Sequence, residues 1–224
     1  AAAFLGRTWE GDLAELRTHL AGRPAAVVGA AIVGLARRGD RRHLVELGAL
    51  LADRTLRRWA RRALRAYGPV AIPLLVDLGT RAGLDLAARR AALALLARLP
   101  YQRTVDVILS RLEWDGADAR AALVPVLLRL RERGRGLRFP RRTVEALLRH
   151  EAGAARRLQR TATALGAPDE ADPAVRLLHR RLRELRSADL ERVFQLLALQ
   201  YDVRDIMGAW LRVNSDDARR IADA

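Results

Sequence analysis

The chain has 224 residues and no cysteine, with 50% apolar and only 4% aromatic side chains. It is long enough to bury a sizeable core, but disulfides and thiolate metal sites are excluded. Its formal net charge is +15, and all 41 basic residues are Arg. The absence of Lys excludes a P-loop nucleotide site, whose chemistry needs that side chain. It is also what a GC-rich coding sequence produces, so the first reading of the charge is a solvated basic surface. Ala, Leu and Arg dominate, all good helix formers, which predicts an all-α protein.

In chain order, Gly11–Ala21 predicts a first amphipathic helix, with Asp12 as N-cap and Glu15 three residues on in capping-box spacing. Gly22 ends it and Pro24 opens a second helix to about Arg38. The uncharged run Pro24–Ala36 is shorter than the ~20 residues a bilayer needs, so it reads as a buried helix. No leader precedes it, and the chain begins and ends inside predicted helix, as a piece of a longer polypeptide would. Gly39-Asp40 breaks the second helix, and Asp40 caps the next. Leu44, Leu47, Leu50 and Leu51 then share one face. Asp53 is expected to cap a helix from Thr55 to Tyr67, stopped by Gly68. Pro69 starts another helix, with Pro73 expected to bend it. Asp85 caps Leu86–Leu99, Pro100 ends it, and Tyr101–Glu113 follows. Asp115 or Asp118 is expected to cap a helix to Arg133, kinked near Pro125. After Gly134 and Gly136, Pro140 opens a long helix to about Leu165. Asp172-Pro173 begins one ending at Arg186, and Ser187 caps Leu190–Tyr201. Asp202 opens Val203–Val213, and Asn214 to Asp217 begins a final truncated helix.

The second helices share a pattern. Leu56-Arg57-x-x-Ala60-x-x-Ala63-Leu64 recurs as Ala88-Arg89-x-x-Ala92-x-x-Leu95-Leu96 and as Ala119-Arg120-x-x-Leu123-x-x-Val126-Leu127, at spacings of 32 and 31 residues. Ala26, Gly29, Ile32 and Val33 fill the matching slots one period earlier. Helix hairpins of this size cannot bury an apolar stripe alone and need copies on either side. With Leu50-Leu51-x-Asp53, Gly68 and Ala71-x-Pro73-x-Leu75, the chain resembles the HEAT-repeat family. The resemblance implies a right-handed α-solenoid of antiparallel helix pairs, with four repeats over residues 1–133 and an irregular helical continuation over residues 134–224. It also implies a ladder of turn aspartates and following arginines, matched by Asp53 with Arg57 and Asp85 with Arg89. Arg120 holds the third Arg position, but Asp115 and Asp118 miss the spacing of its partner.

A narrower resemblance covers Leu190–Ala224. Glu191-Arg192-Val193-Phe194-x-Leu196-Leu197, then Tyr201, Asp205-Ile206 and Ser215-x-x-x-Arg219, is similar to HEAT tails of bacterial ATP/ADP-translocase-like membrane proteins. The Pro usual after the Tyr is missing. This resemblance implies a cytoplasmic, non-enzymatic scaffold or regulatory module, tethered to the inner membrane through a transporter-like domain of the same polypeptide.

Chemistry-bearing patterns are sparse. None of His19, His43, His150 and His179 has a partner at zinc-binding helical spacing, and no metal, cofactor or catalytic residue is expected. The competing class is a basic, HEAT-like nucleic-acid-binding protein of DNA glycosylase type, with Trp114-Asp115 beside Arg111 and Arg120. The plainer reading has Trp59 filling a gap between helices and Trp114 plugging a hairpin end. The densest basic stretch, Arg129, Arg131, Arg133, Arg135, Arg138, Arg141 and Arg142, would suit phosphate on anionic lipid or, less readily, nucleic acid.

Overall fold

The computed structural model describes residues 2–166 and 172–222, without the side chains of residue 4 and of residues 215–222. Every regular element among the described residues is helical. Twelve α-helices follow in order: α1 (Ala2–Thr8), α2 (Leu13–His19), α3 (Ala25–Ala36), α4 (Leu44–Ala49), α5 (Arg57–Ala66), α6 (Ile72–Thr80), α7 (Leu86–Leu96), α8 (Gln102–Trp114), α9 (Ala117–Arg133), α10 (Arg141–Ala164), α11 (Pro173–Leu197) and α12 (Val203–Ala222). No helix among the described residues is long and apolar enough to cross a membrane. The chain divides into two compact units, Ala1–Leu137 and Arg138–Ala224.

In the first unit alternate helices touch. α1 packs on α3, α3 on α5, α5 on α7 and α7 on α9, while α4 packs on α6 and α6 on α8. Within hairpins α4 meets α5, α6 meets α7 and α8 meets α9. These contacts define two rows of helices. α2 flanks α4 across a shallow groove lined by Leu13, Ala14, Arg17, Glu46 and Leu50, which places it in the row of α4. The core between the rows holds Leu16, Ile32, Leu47, Leu51, Leu64, Ile72, Leu75, Leu96 and Ile108, none more than 2% exposed. Glycine sets the closest approaches. A Cβ at Gly29 would lie 2.1 Å from the Trp59 ring, so α3 offers the indole of α5 its seat. Trp59 thus fills the gap between helices, as its position in the repeat suggests.

The punctuation follows local chemistry. Asp12 and Glu15 form the capping box of α2, with the Glu15 amide donating to Asp12 Oδ1 at 2.7 Å. Asp85 caps α7, accepting from the Ala88 amide at 2.9 Å. Neither Asp115 nor Asp118 caps α9. Gly116 takes that position without a side-chain acceptor, because the Asp115 carboxylate is drawn to Arg111 Nε at 2.7 Å. Gly68, at φ +57°, turns the chain after α5, and Pro73 lies in the first turn of α6 after a 3-10 turn at Gly68–Ala71. A proline there breaks no helical hydrogen bond and needs no bend.

Asp40 holds the 3-10 turn Arg41–His43, accepting from the Arg42 amide at 3.0 Å and from Arg42 Nε at 2.8 Å. These bonds hold its carboxyl at a pKa of about 2. A folded pKa below the unfolded one makes the contribution present above about pH 4 and lost as pH falls further. D40N is therefore expected to flatten the fall of the urea midpoint from about pH 4 to about pH 2. An unchanged slope would show that the turn adds nothing.

In the second unit α10 packs on α11 and α11 on α12. Pro140 sits at the N-cap of α10, and Asp172 caps α11 through the Ala174 amide at 2.8 Å. Two expected breaks do not occur. α11 runs unbroken through Ser187, and α12 runs unbroken past Asn214. Ser and Asn carry only a modest helix penalty, and neither stretch contains proline to remove an amide. The buried apolar side chains of this unit include Val144, Leu147, Ala155, Leu182, Leu196, Leu199 and Trp210, whose ring lies 5.4 Å from Phe194.

Candidate functional site

The three pattern arginines occupy equivalent places. Arg57 donates from Nε to the Leu51 carbonyl at 2.6 Å and from Nη2 to the Ala52 carbonyl at 3.1 Å. Arg89 Nε donates to the Gly79 carbonyl at 3.4 Å, and Arg120 Nη1 donates to the Asp115 carbonyl at 2.7 Å. Each reaches back to the end of the preceding helix, where carbonyls lack intrahelical donors and the dipole is negative. The aspartates do a separate job. Asp53 accepts from the Thr55 hydroxyl at 2.7 Å and from the Thr55 and Leu56 amides, and these bonds lower its pKa, the hydroxyl most. Asp85 serves its own cap. Asp53 thus holds the turn before α5 and does not cap it, since α5 starts at Arg57 with Leu56 as an N-cap that makes no side-chain bond. The expected ladder of Asp–Arg pairs takes another form, because turn and cap amides engage the carboxylates and backbone carbonyls upstream of each helix engage the guanidiniums.

Of the residues of the glycosylase-like reading, Arg111 and Asp115 line a groove of about 690 Å³ in the first unit together with Asp77, Thr80, Arg81 and Asp118, whereas Trp114 and Arg120 do not line it. Arg111 bridges Asp77 at 3.1 Å and Asp115 at 2.7 Å. Asp115 is thus held in an ion pair, while Trp114 plugs nothing: it is 86% exposed at the end of α8. An exposed indole offers a flat apolar anchor with a polar edge, a feature of protein-contact surfaces.

The basic stretch is divided by the unit boundary. Arg129, Arg131, Arg133 and Arg135 belong to the first unit, where Arg133 Nη1 donates to the Ala97 carbonyl at 3.2 Å. Arg138, Arg141 and Arg142 belong to the second, where Arg141 pairs with Glu145 at 2.7 Å. The first three arginines of the stretch are helical, in α9, and the last two open α10.

A buried charge cluster in the second unit had no signal in the sequence. Glu151 of α10 is 1% exposed and accepts from Arg192 Nε of α11 at 2.8 Å. Arg192 also donates to Asp189 one turn earlier, and all three side chains are buried. In the tail motif, Arg192 is thus a core charge, Phe194 packs on Trp210, and Tyr201 is exposed. The side chains of Ser215 and Arg219 lie outside the described residues. Among the described residues no group of three His, Asp or Glu side chains is arranged to hold a metal ion. The chain matches no family model, no curated protein and no solved structure.

Proposed function

We propose that the chain is a non-enzymatic helical-repeat scaffold or regulatory module whose first unit is a short right-handed α-solenoid of HEAT type. The observation that carries this reading is the equivalence of Arg57, Arg89 and Arg120, each pinned to the end of the preceding helix in a stack of alternating contacts. A stack of this kind exposes a long side surface in proportion to its core, and such surfaces bind other macromolecules. Exposed Trp114 is the proposed anchor for a protein partner. The tail motif supports a partner in a transporter-like membrane domain of the same polypeptide, with the module on the cytoplasmic side and relaying a signal to it.

The test is fractionation of the natural source, combined with crosslinking from a photoreactive residue at position 114. Expected are a species well above 24.9 kDa that resists carbonate extraction from membranes, and a crosslink into its membrane-embedded part. A carbonate-soluble species of 24.9 kDa would end the transporter assignment. Crosslinking no stronger than from exposed Arg23 would end the assignment of Trp114.

A further inference from the structure

From α1 to α8 the charge of the first unit is segregated by row. Helices α1, α3, α5 and α7, which stack on one another, carry Arg7, five arginines of α5 and two of α7, and not one Asp or Glu. By contrast α9, which follows α7 in the same row, has Asp118 and Glu132 beside four arginines. Helices α2, α4, α6 and α8 carry five carboxylates, Glu15, Glu46, Asp77, Asp106 and Glu113, against three arginines. Codon usage explains Arg in place of Lys. It does not explain why, from α1 to α8, the carboxylates fall in one row and most arginines in the other, since both rows are read from the same gene.

Within the basic row the guanidiniums have two roles. Arg57 and Arg89 point back to helix-end carbonyls. Arg58, Arg62 and Arg65 form the exposed stripe of α5, and Arg90 stands on α7 at the position equivalent to Arg58. None of these four has a carboxylate partner among the described residues, and Arg58 lies 5.0 Å over the Trp59 ring, which fixes its direction. At ~1.5 Å rise per residue the three charges of α5 follow one another at about 6 and 4.5 Å. Arg90 stands across at the ~8–10 Å spacing of packed helices.

We infer that the exposed face of α5 and α7 is a binding surface for the phosphodiester backbone of nucleic acid. A rigid row of planar forked donors suits a regular row of phosphates better than irregular carboxylates on mobile side chains. A lipid surface would also take apolar anchors, and these two helices offer only Leu86, at 55% exposure. Helices α3, α5 and α7 contain no Asn, Gln, Asp or Glu, the side chains that together with Arg read base edges. The surface therefore tracks phosphate and is indifferent to sequence. The inference rests on the two rows and on no particular protein partner, so it stands or falls apart from the transporter reading.

The experiment is anisotropy of a labelled mixed-sequence DNA duplex from about 50 to about 200 mM salt with the full chain. Losing three phosphate contacts in R58Q/R62Q/R65Q is expected to lower the slope of log affinity on log salt by about 2.7. R17Q/R81Q/R103Q removes the same charge from the other row and its loops, and is expected to change the slope by well under 1. Exposed Arg and Gln are equal helix formers, and unchanged circular dichroism confirms that both variants fold. Absence of binding at about 50 mM salt, or an equal loss in both variants, overturns the inference. Displacement by polyglutamate at equal charge, or tighter binding per phosphate to phosphatidylglycerol vesicles, overturns it in favour of an acidic protein or a membrane.

Discussion

Replacing Arg192 with Met is expected to destabilise the pairing of α10 and α11 by about 3–5 kcal/mol. Glu151 is 1% exposed, and Arg192 Nε lies 2.8 Å from its carboxylate. Removing the guanidinium takes a cationic partner from a carboxylate in a place water does not reach, and the loss exceeds that of the bond itself. Arg192 also donates to Asp189, which is buried beside it, so one substitution removes a donor from two buried carboxylates. The second unit has few large buried apolar side chains with which to absorb such a loss. Hydrogen exchange is the suitable measurement, because it reads α10 and α11 apart from the first unit. The triple variant E151L/D189L/R192M is expected to recover most of the loss, since apolar side chains in place of the whole cluster have no desolvation penalty. If R192M changes protection by less than about 1 kcal/mol, the cluster contributes little, as exposed pairs do.

The sequence patterns that succeeded and failed here differ in the distance over which they act. Caps at Asp12, Asp40 and Asp85 are decided within a few residues, and each was legible. That Trp59 fills a gap between helices was legible, but its seat at Gly29 was not, because the period only made Gly29 the equivalent of Ala60. α1 was not. Its contact with α3 is made through Gly6, where a Cβ would come 1.8 Å from the Ala31 carbonyl, and backbone contact leaves no apolar stripe to read. The Glu151–Arg192 pair spans 41 positions, beyond any local pattern. Asp115 looked like a cap because the residue type and place were right, but a nearby guanidinium competed for its carboxylate. Row segregation of charge was present in the letters of each helix. It acquires meaning only when alternate helices are known to be neighbours.

Replacing Leu96 with Ala is expected to destabilise the first unit by about 2–5 kcal/mol and to show where its cooperativity ends. Leu96 is fully buried in α7, the helix that touches α5, α6 and α9. The loss of its branched end leaves a cavity, and the cost depends on how far the surroundings collapse inward. In a closed bundle with one core, that loss would lower the protection of every slowly exchanging amide in the unit alike. In a stack whose members contact only their neighbours, it would fall on α5 through α9, while α3 and its seat for Trp59 kept more of their protection. A graded exchange profile, weakest at α7 and recovering toward α3, is the expected result. A uniform fall from α1 to α9 would end the solenoid reading, whatever the size of the destabilisation.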